Sequence, residues 1–561
     1  MPDLKIAIVG GGPSALFILK RLVESGRSDL CVHIFERNRC LGWGMPYGPD
    51  GAGPEHITNV SGNELPHLPQ GLVEWVRGLP APELAAFGVS AERFSQDKVL
   101  PRLLFGRYLE EQFHALVRQA AFAIEVHTGA LVEDVVDQPQ RKKVEVHVTG
   151  QAHPFDRVVI CTGHHWPRSH EGKVPGYFDS PYPPDKLRGP YNHPVALRGG
   201  SLTAVDAVRT LARQHGTFQR QNGSALTYMV KPDCADFRLV LHTRNGLLPC
   251  VRFHLEDPRV HSVEPFSQEE IGRIKQQNDG FVPLDLVFHE YFKELLREKD
   301  PVLYQRIQSW RLEEFVEAAL EPRQQSEPFE FFQAEYAESL QSLSQERPIA
   351  WKEVLAILSF ALNYPAKHFS AEDMLRLKQT LAPLIAIVIA FVPQSSSEEL
   401  LALHAAGRLQ LLAVGADSEV EVGNDGGIHY RFGDRRVTYQ TFVDCIGQPA
   451  LDLEAFPFAS LLSQKVVNQA RLRFRSPQEA LRHRRQDPDS VQVEADGRFY
   501  LVVPGIAISD AFQPLQPDGT AHPRLFLMAV PYMSGHNPDY SGLDFCEEAS
   551  DRIVEVLLDG G

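Results

Sequence analysis

At 561 residues, with 43% apolar and 23% charged side chains and a formal net charge of −16, the chain has the length of about three domain-sized units. Its acidity and the lack of a long Lys/Arg block argue against nucleic acid or an anionic membrane as partner. Seven scattered cysteines without a Cys-x-x-Cys pair exclude a disulfide framework, and the longest apolar run, Leu381 to Val392, is short of the ~20 residues of a membrane helix; no export leader is seen, and a cytoplasmic location is expected.

Lys5-Ile6-Ala7-Ile8-Val9 predicts a buried strand running into Gly10-Gly11-Gly12-Pro13-Ser14-Ala15, and a second strand, Cys31 to Phe35, ends at Glu36-Arg37. Gly10 permits a tight turn, Gly12 lets backbone approach a pyrophosphate, and Ala15 is the small residue where helix packs on strand. The helix from Ser14 to about Ser25 aims its N-terminal N–H groups at phosphates, while Glu36 is placed to accept from ribose hydroxyls. Strand, turn, helix, strand and acid in this order predict a dinucleotide site.

Arg39 to about Gln96 is an irregular stretch rich in Gly, Pro and Asn, including Gly42-Trp43-Gly44-Met45-Pro46-Tyr47-Gly48 and Asn59. It reads either as the wall of a flat ring system or as a packed surface loop. A helix from Pro101-Arg102 to Gln119 follows, then a small meander that includes Ala130-Leu131-Val132 and Lys143 to Val148. The apolar strand Phe155 to Ile160 ends in Cys161-Thr162-Gly163-His164, as at the carboxyl edge of a doubly wound sheet.

A second strand-turn-helix begins at Val195-Ala196-Leu197-Arg198-Gly199-Gly200-Ser201-Leu202-Thr203, with Ser201 where a second glycine is usual. The strand Arg238 to Thr243 ends at Arg244, which suits a 2′-phosphate and hence NADPH over NADH, or is a solvated surface cation. From Ser262 to Gln394 the sequence is helix-rich, with capping boxes expected at Ser267-x-x-Glu270 and Ser396-x-x-Glu399 and with Phe288, Tyr291, Phe292, Trp310, Phe315 and Trp351 as core. Strands resume at Leu409, a hairpin is expected around Asp425-Gly426-Gly427, and Thr441 to Gly447 repeats the pattern of Asp156 to Gly163. Near the C-terminus Leu525 to His536 reads as a strand and turn before a helix from about Ser541. No metal-ligand spacing and no serine-hydrolase elbow is found, and no metal is expected.

Taken together, Gly10 to Ser14, Gly42 to Tyr47, Asn59, Pro101-Arg102 through Gly106 and Tyr108, Thr162-Gly163-His164 and Gly199 to Leu202 resemble bacterial FAD/NAD(P)-binding proteins with two dinucleotide domains. More distantly, the chain is similar to flavin-dependent N-hydroxylating and Baeyer–Villiger monooxygenases. It departs from them in lacking a complete Baeyer–Villiger fingerprint and the usual C-terminal Gly-Asp. The resemblance implies that the turn with Ser534, Gly535, His536 and Asn537 meets the flavin, although a structural turn fits these residues equally.

The expectation is therefore an α/β fold of two Rossmann-like dinucleotide-binding domains with a helix-rich insertion. FAD is assigned to 1–192 and 441–561, NAD(P) to 193–261 and 395–440, and a substrate cap to 262–394. FAD candidates are Gly10, Gly12, Pro13, Ser14, Glu36, Arg37, Trp43, Gly44, Met45, Pro46, Asn59, Arg102, Val132, Thr162, Gly163, His164, Gly535 and His536. NADPH candidates are Gly199, Ser201, Leu202, Thr203 and Arg244. The activity expected is an FAD-dependent NAD(P)H oxidoreductase, in one version a monooxygenase forming a flavin hydroperoxide and acting on a small amine or carbonyl substrate. A reductase without oxygen insertion, and a non-catalytic nucleotide-regulated binding protein, are the alternatives.

Overall fold

The computed structural model describes residues 4–220, 225–257, 260, 266–423, 426–538 and 542–559. The strands Glu419–Val422 and Ile428–Phe432 pair antiparallel on either side of the hairpin expected around Asp425-Gly426-Gly427, while Asp425 itself and the starts expected at Ser262 and Ser541 lie outside the described residues.

Two five-stranded sheets, each parallel throughout, organise the chain. The first has the order Leu525–Leu527, Arg157–Ile160, Leu4–Val9, Leu30–Glu36, Ala123–Thr128. The second runs Tyr177–Phe178, Thr441–Asp444, Pro194–Arg198, Arg238–Thr243, Leu409–Ala413. Parallel sheets need both faces covered, and each sheet has helices on one side and a three-stranded antiparallel meander on the other. In the second sheet Val195 and Leu197 pack with Val208 and Leu211 of the helix Leu202–His215, while the intervening Ala196 packs with Tyr430 and Phe432 of the meander. That is the period-two division of side chains between two buried faces.

The two halves repeat one plan in register. Val9 lies between Phe35 and Ile160 as Arg198 lies between His242 and Asp444. Gly10 N–H donates to Phe35 O as Gly199 N–H donates to His242 O, and the Cys161 and Cys445 N–H groups donate to Val9 O and Arg198 O. The chain crosses from the first sheet to the second after Gly163 and returns after Gly447.

Several boundaries differ from the sequence reading. The strand Thr441–Asp444, assigned with the closing FAD segment, is bonded into the second sheet, because its carboxyl end must meet Gly199. Tyr177–Phe178, assigned to the first domain, joins that sheet as well. The stretch 39–96 is not irregular throughout; it contains the strand Ile57–Ser61 and the helices Leu72–Gly78 and Ala81–Ala86. The Ser267 box forms as expected, but the Ser396 box does not. That helix starts at Gln394, Ser396 and Ser397 are buried inside it, and Glu399 pairs with Arg209 and Arg213 of the neighbouring helix.

Phe288, Phe292 and Phe315 form the buried centre of the helical region, with Tyr291, Trp310 and Trp351 packed against it. Its core also takes in Ala470, Leu472, Leu501 and Val503 from the antiparallel sheet Gln469–Arg473, Phe499–Ile506 and Val491–Val493. Part of the segment assigned to the closing FAD domain thus packs as one body with the helical insertion.

A buried ion pair joins the two halves. Arg102 Nη1 lies 2.5 Å from Asp206 Oδ2, Tyr182 Oη donates to the same oxygen at 2.7 Å, and His56 Nε2 lies 3.0 Å from Thr210 Oγ1 one turn further on. Burial alone would raise the Asp206 pKa, yet Arg102 and His56 hold it below the usual carboxylate value. Removing one partner of such a pair leaves a buried charge uncompensated. Arg102→Ala is expected to cost about 3–5 kcal/mol in denaturant unfolding, and Arg102→Met with Asp206→Leu to restore most of it. A loss under about 1 kcal/mol for Arg102→Ala would mean that the pair does not hold the halves together.

Candidate nucleotide sites

The first site is built on a close approach. Gly10 has φ +107°, and a Cβ there would stand 2.3 Å from Cys161 O, so only glycine lets this turn lie against the neighbouring strand. A Cβ on Gly12 would stand 3.1 Å from Gly44 Cα, which brings the 42–48 segment over the turn. The helix Pro13–Glu24 has Pro13 at its start and no side-chain cap at Gly12, leaving an anion seat at its N-terminus. Glu36 is nearly buried; its two carboxylate oxygens accept from Gly11 N–H and Asn38 N–H, each at 2.7 Å. That fixes the carboxylate and leaves lone pairs for ribose hydroxyls.

These groups open on a cleft of about 350 Å³ at the carboxyl edge of the first sheet. Of the expected residues, Gly10, Gly12, Pro13, Ser14, Glu36, Arg37, Gly44, Met45, Pro46, Val132, Thr162, Gly163 and His164 line it. Thr162 Oγ1 is buried there without a hydrogen-bond partner, a group for a ligand to satisfy. Burial lowers the His164 pKa, opposed by Gln448, whose Oε1 lies 3.2 Å from Nδ1. An anion seat, a fixed, nearly buried carboxylate and an orphaned hydroxyl along one cleft fit a dinucleotide.

Five expected residues do not line this cleft. Trp43 Nε1 donates to Glu110 at 3.0 Å and its ring packs on Gly48, bracing the loop against the helix Arg102–Gln119. Arg102 is held by Asp206. The Asn59 carbonyl accepts from the buried Arg252, which also pairs with Glu64. Gly535 is glycine because a Cβ would stand 2.1 Å from Pro504 O. His536 is buried, with Nδ1 3.4 Å from the Ile508 N–H.

The far wall is made by Val530 and Tyr532, within the Leu525 to His536 segment expected to meet the flavin although neither was named as a candidate, and by Pro457, Phe458 and, from the closing helix Gly542–Asp559, Leu543 and Cys546, which no local pattern marks.

At the second turn, Gly199 has φ +119° and a Cβ would stand 2.6 Å from Cys445 O. Ser201 stands where Gly12 does and precedes the helix starting at Leu202; Thr203 Oγ1 faces Gly447, 3.7 Å from the position of a Cβ there. The register places Thr243, not Arg244, in the position of Glu36. This half therefore lacks the carboxylate that would take a 2′-hydroxyl, and the exposed Arg244 follows directly. Thr243 was missed because only sheet register aligns it with Glu36.

The His536 ring pays for its burial with acid sensitivity. Burial, with Lys367 nearby, pushes its pKa down to about 4, so its contribution is present above the unfolded value near 6.5 and is lost as pH falls from there toward 4. Between about pH 7 and about pH 4 the wild type is expected to lose up to about 3 kcal/mol more stability than His536→Gln in urea unfolding. Equal losses would contradict a neutral buried ring.

Residues 7–165 match the family model described as FAD-NAD(P)-binding, and residues 267–389 match the YdhS-like middle domain. The chain is 29% identical over 467 residues, 82% of this chain and 86% of the relative, to the uncharacterised protein YdhS of Escherichia coli strain K12. Among solved structures it is similar to the ornithine N-hydroxylase KtzI of Kutzneria sp. 744 (15% identity, 100% and 99% of the two chains covered, TM-score 0.47) and to DfoA, the cadaverine monooxygenase of Erwinia amylovora (10%, 99% and 94%, 0.48). It is also similar to the bacillithiol disulfide reductase of Staphylococcus aureus (10%, 100% and 99%, 0.43). No helix among the described residues is long and apolar enough to cross a membrane. Residues 7–165 form an FAD/NAD(P)-binding domain of the type which that family model describes.

Proposed function

We propose that this protein is an FAD-dependent, NADPH-using oxidoreductase, with FAD in the cleft of the first sheet and NADPH at the carboxyl edge of the second. The observation that carries the reading is the same glycine turn, built twice in register, with an acid at the ribose position once and Thr243-Arg244 the other time.

At the first site the N-terminus of the helix Pro13–Glu24 holds the pyrophosphate, Glu36 the adenosine ribose, and Thr162 and His164 line the continuation of the cleft. Met45, Pro46, Val530 and Tyr532 give it apolar walls that exclude water. At the second, Arg244 pairs with the 2′-phosphate. Bound FAD supplies hydride acceptance from NADPH and onward electron transfer.

The finer reading is a monooxygenase acting on a small amine or carbonyl compound. It is supported by the Thr162-Gly163 turn after an apolar strand, which resembles that of flavin-dependent monooxygenases, and by the lack of a Cys-x-x-Cys pair for a disulfide relay.

Anaerobic mixing of the FAD-loaded protein with reduced nucleotide tests the coarser claim: NADPH is expected to bleach the flavin's visible band faster than NADH. Arg244→Ala should lose about tenfold or more in NADPH affinity with NADH unaffected, since a charge-assisted bond is worth about 1.5–3 kcal/mol. Thr243→Glu should shift preference toward NADH. Absence of bleaching by either nucleotide would overturn the oxidoreductase, and equal loss of both in Arg244→Ala would overturn the 2′-phosphate assignment. Oxygen incorporated into product, against hydrogen peroxide released, separates the monooxygenase from a reductase.

A further inference from the structure

The edge of the first sheet carries a cluster that the nucleotide sites do not use. His33 on the strand Leu30–Glu36 pairs with Glu125 on the edge strand Ala123–Thr128, and His127 follows Glu125 on the same face two residues on. Their facing atoms lie close together: His33 Nδ1 to His127 Nε2 3.1 Å, His33 Nδ1 to Glu125 Oε2 3.5 Å, and His127 Nε2 to Glu125 Oε2 3.9 Å. The two imidazole rings are within 9° of parallel and present nitrogen edge to nitrogen edge.

An ion bonded at about 2.1 Å to each of three ligands in tetrahedral array sets them about 3.4 Å apart. The three observed separations bracket that value. Behind the cluster, Cys31 Sγ lies 3.5 Å from His33 Nε2, supporting the ring on its far side as the outer partner of a ligating histidine does. In front, the Glu125 side chain is 59% exposed, which leaves an approach from solvent. Among the described residues this is the one group of three His, Cys, Asp or Glu side chains whose ligand atoms converge in this way.

The internal repeat supplies a control within the same chain. In the second sheet the positions of His33, Glu125 and His127 are taken by Val240, Gln410 and Leu412. Val240 and Leu412 there belong to the apolar packing of sheet against meander. The architecture is built without polar ligands at these positions, so the His-Glu-His set is not required by the fold.

We propose that His33 Nδ1, His127 Nε2 and the Glu125 carboxylate bind one divalent transition-metal ion of the zinc class, with a fourth position open to solvent. Imidazole and carboxylate together suit Zn²⁺, Co²⁺ or Ni²⁺ better than Ca²⁺ or Mg²⁺, which prefer all-oxygen sites. The ion would tie the edge strand to its neighbour just before Gly129 and Ala130, whose N–H groups donate to Asn38 O and Glu36 O at the ribose end of the cleft. It stiffens that end and takes no part in the redox chemistry.

The test uses the full-length protein stripped with a chelator and titrated with Zn²⁺ in a calorimeter, and with Co²⁺ in a visible spectrometer. One ion per chain at micromolar concentration is expected, with a four-coordinate cobalt band. His33→Ala and His127→Ala should each weaken binding at least about tenfold. Glu125→Gln, a near-isosteric change at an exposed side chain, should weaken Zn²⁺ binding and alter the cobalt band, and it decides the matter if either histidine variant fails to fold. No uptake would reduce the histidine pair to a hydrogen bond between neutral rings. Uptake with unchanged affinity in Glu125→Gln and in a folded histidine variant would place the ion elsewhere, and either result overturns the proposal.

Discussion

Both candidate nucleotide sites depend on backbone meeting backbone with no room for a side chain between. At Gly10 a Cβ would stand 2.3 Å from Cys161 O, and at Gly199 2.6 Å from Cys445 O. In each half this contact seats the turn against the end of the adjoining parallel strand, brings the following helix's N-terminus to the carboxyl edge, and opens that edge to a ligand. The remainder of each half serves this geometry. Meander and helices bury the two sheet faces, and the chain leaves each half at the same place, just beyond the strand that abuts the glycine.

With the scaffold common to both halves, they differ in the side chains set at the two carboxyl edges. Gly12 becomes Ser201, so the second turn holds a hydroxyl where the first is bare. Glu36 becomes Thr243 and Thr162 becomes Ile446, which exchanges an acid for a neutral residue and a buried polar group for an exposed apolar one. Arg198 replaces Val9 and lies 3.3 Å from Asp444, putting charge beside the second edge where the first is apolar. The halves are then held in place by buried charge: Arg102 with Asp206 and Arg252 with Glu64, two pairs contributed from both sides of the boundary.

The turn residues were legible in the sequence because their constraint is local. A glycine with positive φ, a proline opening a helix and an acid ending the next strand all fall within one βαβ unit, and Gly10 to Ser14 and Glu36 stand where their pattern puts them. Arg102, Asn59 and His536 were misplaced because charge and polarity in a sequence do not say which partner is reached. The Arg102 partner lies on a helix of the other half, and Asn59 offers its carbonyl to Arg252. Thr243 and the far wall at Phe458 and Tyr532 depend on register and long-range packing. So does the strand Thr441–Asp444, whose apolar run suits either sheet until its neighbour is known.

On the proposed function, one chain presents two unlike dinucleotide seats made from one repeated unit. Native mass spectrometry of the intact protein supplied with FAD and NADP⁺ together tests it directly. The expected species has the chain mass plus one FAD and one NADP⁺, each retained when the other is omitted. A single nucleotide per chain, with FAD and NADP⁺ displacing one another, would contradict it.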